Sequence, residues 1–126
     1  MSYKTPLGKV RGLGSAKAGT DHFWEQRMSA LANLPLVIGV LIIGFIVWGK
    51  PYNEVVAFLQ TPLVAIILAL FVINTCVHMR LGMQVVIEDY VSSDFQKVVF
   101  LALNTFFCVL VGFSALYALA KINFGM

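Results

Sequence analysis

The sequence predicts an all-α integral membrane protein with three transmembrane helices, and three observations carry that prediction. Of 126 residues, 60% are hydrophobic and only 12% are charged. With a mean hydropathy of +0.87, the chain is too apolar for a soluble domain of this size. The apolar residues fall into runs within 28–48, 61–90 and 95–121, each long enough at about 1.5 Å per helical residue to cross a hydrocarbon core of about 30 Å. The basic residues are shared unequally between the two ends of these runs, as in an oriented membrane protein. The net charge of +3 is modest and no aromatic-basic constellation points to nucleic acid. Cys76 and Cys108 sit within apolar runs without CxxC or Cys/His spacing. They read as small packing residues, not as a disulfide or a metal site.

Residues 1–20 carry Lys4, Lys9, Arg11 and Lys17, no acid, and glycine or proline at positions 6, 8, 12, 14 and 19. This composition predicts an extended arm. It has no apolar core of the kind a secretory signal needs, so a retained arm is expected, in a bacterial protein inserted through its own spans. The anchor domain then covers 21–126, with spans at about 26–48, 61–90 and 95–121. Thr20 or Asp21 suits the N-cap of the first helix, with Glu25 in position to support it. That helix should run along the interface through His22, Phe23, Trp24 and Arg27 before entering lipid, and Pro35 is expected to kink it.

GKPYN at 49–53 is a turn by composition, and 54–60 predicts a short interfacial helix before Thr61 and Pro62 open the second span. The second span is longer than lipid requires, so its last two turns should emerge at the headgroups. Residues 91–94 form a link in which Ser93 or Asp94 can cap the third helix. That helix offers only apolar and small residues apart from Asn104, Thr105 and Ser114, which predicts a packing role. Lys4, Lys9, Arg11, Lys17 and Arg27 precede span one and Lys97 lies by the second loop, against Lys50 and Lys121 at the opposite surface. The positive-inside rule therefore predicts a cytoplasmic N-terminus and a periplasmic C-terminus in the bacterial inner membrane.

The stretch with chemistry is NTCVHMRLGMQVVIEDY, residues 74–90. A central Arg costs about 2.5–3.5 kcal/mol on insertion scales, so ionisable residues inside a span read as functional by default. His78 and Asp89 are eleven residues apart, which puts them within about 20° on one face and about 16 Å apart along the axis. Phe71, Gly82 and Val85 share that stripe; Gly82 makes room either for something flat or for a neighbouring helix. His78 is either a core histidine bonded to a neighbouring helix or an axial haem ligand. As a ligand it would need a second donor from another chain, since His22 sits near the interface. Arg27 is either a snorkelling anchor or a partner for an anionic cofactor edge. Arg80, about 200° from His78, faces away from the stripe and is expected to reach headgroups or a partner subunit. Glu88, Asp89 and Tyr90 close the helix, and the two carboxylates oppose its dipole there, which raises the functional interest of this end.

His78 followed by Gly82-Met83 and then Asp89-Tyr90 resembles the motif of the smaller haem-anchor subunit of succinate dehydrogenase, respiratory complex II, the hydrophobic membrane anchor of bacterial type. GSAKAGTDHFWEQRMSA also resembles the start of that family's first helix, with Arg27 at its basic position. The resemblance implies His78 as an axial ligand of haem b, with the opposite ligand from a second haem-anchor (cytochrome b) subunit. It implies Tyr90 as a ubiquinone contact with Asp89 beside it, and Arg27 as a haem-propionate partner. It further implies an iron-sulfur subunit and a flavoprotein subunit as partners, with the chain catalytic only as part of that oxidoreductase complex. Two other readings compete. A small proton-coupled transporter would use His78 and Asp89 as a relay, although spans one and three offer no central carboxylate. A structural assembly subunit would lack haem.

Overall fold

A computed structural model describes residue 3, residues 5–11 and residues 18–125, with side chains described for all of these except 9–11 and 18–20. Lys4 and Lys17, and the side chains of Lys9, Arg11 and the cap candidate Thr20, lie outside what the structure describes. Among the described residues five helices follow in order: α1 Pro6–Arg11, α2 Ala18–Val47, α3 Tyr52–Leu59, α4 Pro62–Tyr90 and α5 Asp94–Phe124. Three of them, Asp21–Val47 within α2, α4 and α5, are long and apolar enough to cross a membrane.

The arm departs from expectation. Residues 6–11 form a short helix instead of extended chain. The Thr5 Oγ1 accepts a hydrogen bond from the Gly8 backbone N–H at 3.0 Å, which caps the helix, and Pro6 follows at the first helical position where its missing N–H costs nothing. Helix α2 begins at Ala18, ahead of the expected cap, and leaves Asp21 in its first turn where an acid favours the dipole. It continues unbroken through Pro35, whose absent N–H leaves the Leu31 carbonyl one bond short.

Gly49 ends α2 with φ +74°, a left-handed conformation that glycine adopts without strain. The chain then turns into α3. Pro62 opens α4 at its first position with Thr61 before it, as expected. Ser93 stands at the N-cap of α5 but its side chain makes no capping bond.

Helix α4 packs against α2 on one side and α5 on the other, whereas α2 and α5 make no close approach among the described residues. The three spans therefore form a row with α4 in the middle. Each interface closes on a glycine: a Cβ on Gly39 of α2 would lie 3.3 Å from Ile67 on α4, and one on Gly112 of α5 would lie 3.3 Å from the Cys76 sulfur on α4. Small residues let membrane helices approach in this way. At the end of the row away from Tyr90, α3 touches all three spans, and Gln60 beside it donates to the Ile122 carbonyl at 2.8 Å. Only Ile43, Val64, Leu81, Ile87 and Cys108 form a buried apolar core among the described residues. The remaining apolar surface faces outward, as it does in a helical membrane protein whose solvent is lipid.

Candidate functional site

His22, Gln26, Ser29 and Asn33 of α2 are spaced four, three and four residues apart. Helical geometry gathers them within about 60° of arc. That polar stripe meets Asn74, Thr75 and His78 of α4. Polar groups in hydrocarbon must find partners within the protein, and here they find them across the helix interface. The Asn74 amide donates to the Ser29 carbonyl at 2.8 Å and to Asn33 Oδ1 at 2.7 Å. Thr75 reaches the same Asn33 oxygen at 3.4 Å.

His78 is half-buried on this seam, and its Nδ1 lies 2.9 Å from Ser29 Oγ. Ser29 is itself 6% exposed, the one buried polar residue among those described. Its hydroxyl also donates to the Gln26 carbonyl at 2.9 Å. One turn beyond His78, Gly82 faces Gln26, whose Nε2 would lie 3.7 Å from a Cβ at that position. Of the two uses expected for Gly82, the neighbouring helix takes the space. The seam closes on two buried atoms without hydrogen-bond partners, Gln26 Oε1 and His22 Nε2.

The other expected site residues stand apart from His78. Arg27 is exposed at the helix surface and places its guanidinium 5.1 Å from the centre of the Phe23 ring, one turn earlier on α2, a cation–π contact. It is two residues from Ser29, about 200° round the helix, so it leaves α2 away from the seam. Asp89 and Tyr90 end α4, both exposed. They lie about 16–18 Å along the axis from His78. Glu88 accepts a bond from Gln84 at 3.0 Å within the same helix.

Arg80 faces away from the His78 stripe, toward α5. It is half-buried and lines an apolar groove of about 280 Å³ between α4 and α5, with Cys76, Val77, Cys108, Val109 and Gly112. Its carbonyl accepts from the Asn104 amide of α5 at 3.0 Å.

Among the described residues no three His, Cys, Asp or Glu side chains converge as a metal site. His78 fits the narrower requirement of an axial haem ligand: one imidazole within a span, with one nitrogen fixed by the protein. Sequence reasoning missed Ser29, Asn33 and Asn74. For Ser29 and Asn33 the signal was available in the four-three-four spacing of His22, Gln26, Ser29 and Asn33 on one face of α2, a helical period that apolar length alone does not register.

The family profile described as succinate dehydrogenase/fumarate reductase transmembrane subunit matches residues 1–114. A succinate dehydrogenase hydrophobic membrane anchor subunit from Paracoccus denitrificans is 34% identical over 129 residues, covering 99% of this chain and 96% of that protein. The protein of the same description from Rickettsia bellii is 33% identical over 92 residues, 73% of this chain and 74% of its own. That from Rickettsia conorii is 29% identical over 110 residues, 85% and 86% respectively. No solved structure gives a significant match. With the all-helical, three-span fold, these similarities show that the chain belongs to the family of succinate dehydrogenase/fumarate reductase transmembrane subunits, the membrane anchors of an oxidoreductase complex.

Proposed function

We propose that this chain supplies His78 as one axial ligand to a haem b shared with a second, cytochrome b anchor subunit, and Tyr90 with Asp89 to a ubiquinone-reduction site. It docks the iron-sulfur and flavoprotein subunits on the cytoplasmic face of the bacterial inner membrane. The observation that carries this reading is the imidazole of His78, set inside a span and bonded to its own chain through Nδ1. About 24 Å of helix precede it in α4 and about 18 Å follow, so it sits at membrane depth.

When bound, the haem supplies a one-electron redox centre within the membrane. His78 would hold it from this chain. Arg27, at the cytoplasmic end of α2, offers a planar charged donor for a propionate edge. Ubiquinone takes up two electrons and two protons on reduction. The Tyr90 hydroxyl, exposed at the end of α4, donates a hydrogen bond to a quinone carbonyl oxygen as negative charge builds there. Asp89 beside it orients that hydroxyl or passes protons inward from water.

Purification of the chain in its complex, with identification of bound subunits and a reduced-minus-oxidised absorbance spectrum, tests this reading. The expected result is co-purification with flavoprotein and iron-sulfur subunits together with a b-type spectrum. Co-purification without that spectrum returns the chain to a structural role. Cysteine labelling of both tails in sealed vesicles checks orientation: the two ends should label from opposite faces, and labelling from one face would contradict three spans.

A further inference from the structure

One hydroxyl on the α2–α4 seam makes two short contacts, and together they set the proton on His78. Ser29 Oγ lies 2.9 Å from the Gln26 carbonyl oxygen and 2.9 Å from His78 Nδ1. A carbonyl oxygen can only accept, so the first contact is a bond only when the single hydroxyl proton points at Gln26. The second contact is then a bond only when Nδ1 carries a proton and donates it to Ser29 Oγ. In the opposite tautomer, one of the two contacts would set lone pair against lone pair beside a buried hydroxyl, where an unmade polar bond is costly.

We infer that Ser29 is a positioning residue that holds neutral His78 as the Nδ1–H tautomer and so presents the Nε2 lone pair to a metal. As a statement about haem this rests on the proposed ligand role of His78; as a statement about the tautomer it stands on the two contacts alone. The seam keeps the geometry from drifting. Asn74, one turn before His78 on α4, holds the Ser29 carbonyl at 2.8 Å, so the backbone that carries the hydroxyl is tied to the helix that carries the imidazole. Both amide protons of Asn74 are used, the second on Asn33. Ser29 is also almost wholly buried, which limits competition from water for its oxygen. Donation from Nδ1–H to an oxygen raises the electron density of the ring, strengthens it as a ligand and favours the ferric state.

The test compares wild type, Ser29→Ala, Ser29→Thr and His78→Ala in the assembled complex, reading haem retention and the midpoint potential of haem b. Threonine keeps the hydroxyl, and in a helix its Oγ1 bonds the carbonyl three or four residues back, as Ser29 does here. Ser29→Ala should bind haem about 10–100-fold more weakly and shift its potential upward, while Ser29→Thr should restore both. A structural role for Ser29 would lower assembly without moving the potential of the haem that remains, and that result would overturn the inference. Retention and potential both unchanged in Ser29→Ala, with haem lost in His78→Ala, would also overturn it and leave the ligand assignment standing. A second readout needs no haem: ¹⁵N magic-angle-spinning spectra of the full chain in bilayers at alkaline pH, with labelled histidine and His22→Gln to leave His78 alone. These should give the Nδ1–H pattern in the Ser29 chain and a mixture of tautomers in Ser29→Ala. An Nε2–H pattern in the Ser29 chain would overturn the assignment. If His78→Ala leaves haem untouched, the ligand reading falls and the nitrogen shifts decide the tautomer by themselves.

Discussion

Helix α4 is packed on two sides, and the two sides are built from different chemistry. Both interfaces close equally tightly, each on a glycine whose missing Cβ would stand 3.3 Å from the facing side chain. Closeness therefore does not distinguish them. Against α2 the contact runs through cross-helix hydrogen bonds from Asn74, Thr75 and His78. Against α5 it is an apolar groove with one cross-helix bond among the described residues, from Asn104 to the Arg80 carbonyl, while Thr105 donates to Leu101 and Cys108 to Asn104 within α5. Packing alone would have been served by the second kind of interface on both sides. The polar side is the one that needs an explanation, and a fixed imidazole supplies it.

The contrast can be broken from several directions. The largest effect is expected where the His78 stripe runs out to the headgroups. Tyr90→Phe should keep assembly, haem and succinate oxidation by a soluble dye, but slow quinone reduction by about a hundredfold, the loss of one charge-stabilising donor worth about 3 kcal/mol. Equal losses in both assays would mean damaged assembly. Asp89→Asn should slow the same step less if Asp89 only orients Tyr90, and the paired quinone and dye rates measure the difference.

Within the membrane, Asn74→Leu removes two cross-helix bonds at once and leaves Asn33 Oδ1 only the longer contact from Thr75. At about 0.6 to 1.7 kcal/mol per intramembrane hydrogen bond, the complex should lose about 1–3 kcal/mol, seen as a lower temperature of haem release. The counterpart on the other side, Asn104→Leu, removes a single cross-helix bond and, within α5, the weak contact from the Cys108 thiol; it should cost about 0.6 kcal/mol, with haem and quinone reduction unchanged. A larger functional loss from Asn104→Leu than from Asn74→Leu would reverse the comparison.

Much of this architecture is legible in the chain. Hydropathy locates the three spans, and the helix-turn chemistry at Gly49, Thr61-Pro62 and Ser93 locates their joints within a few residues. The arm misleads because its glycines and Pro6 count as breakers, although Thr5-Pro6 is also a cap followed by the one helical position that welcomes proline. His78 stands out because an ionisable residue in a span is costly. Ser29, Asn33 and Asn74 do not, since each alone is a common small polar residue in a membrane helix. Only the pairing of two helices turns them into a network. Arg80 points away from the His78 stripe, as its angle requires, yet the row arrangement puts α5 in that direction. Sequence spacing gives the face of a helix and not what covers it.

If α4 carries the haem on its α2 side and only packs on its α5 side, substitutions on the two sides should act differently on the haem. The most direct measurement is the reduced-minus-oxidised spectrum of the purified complex carrying His78→Ala, set beside the same spectrum for Asn104→Leu. His78→Ala should abolish or alter the b-type signal, because it removes one axial ligand, while Asn104→Leu should leave it as in the wild type. An unchanged b-type signal in His78→Ala, or an equal loss in both variants, would contradict that division.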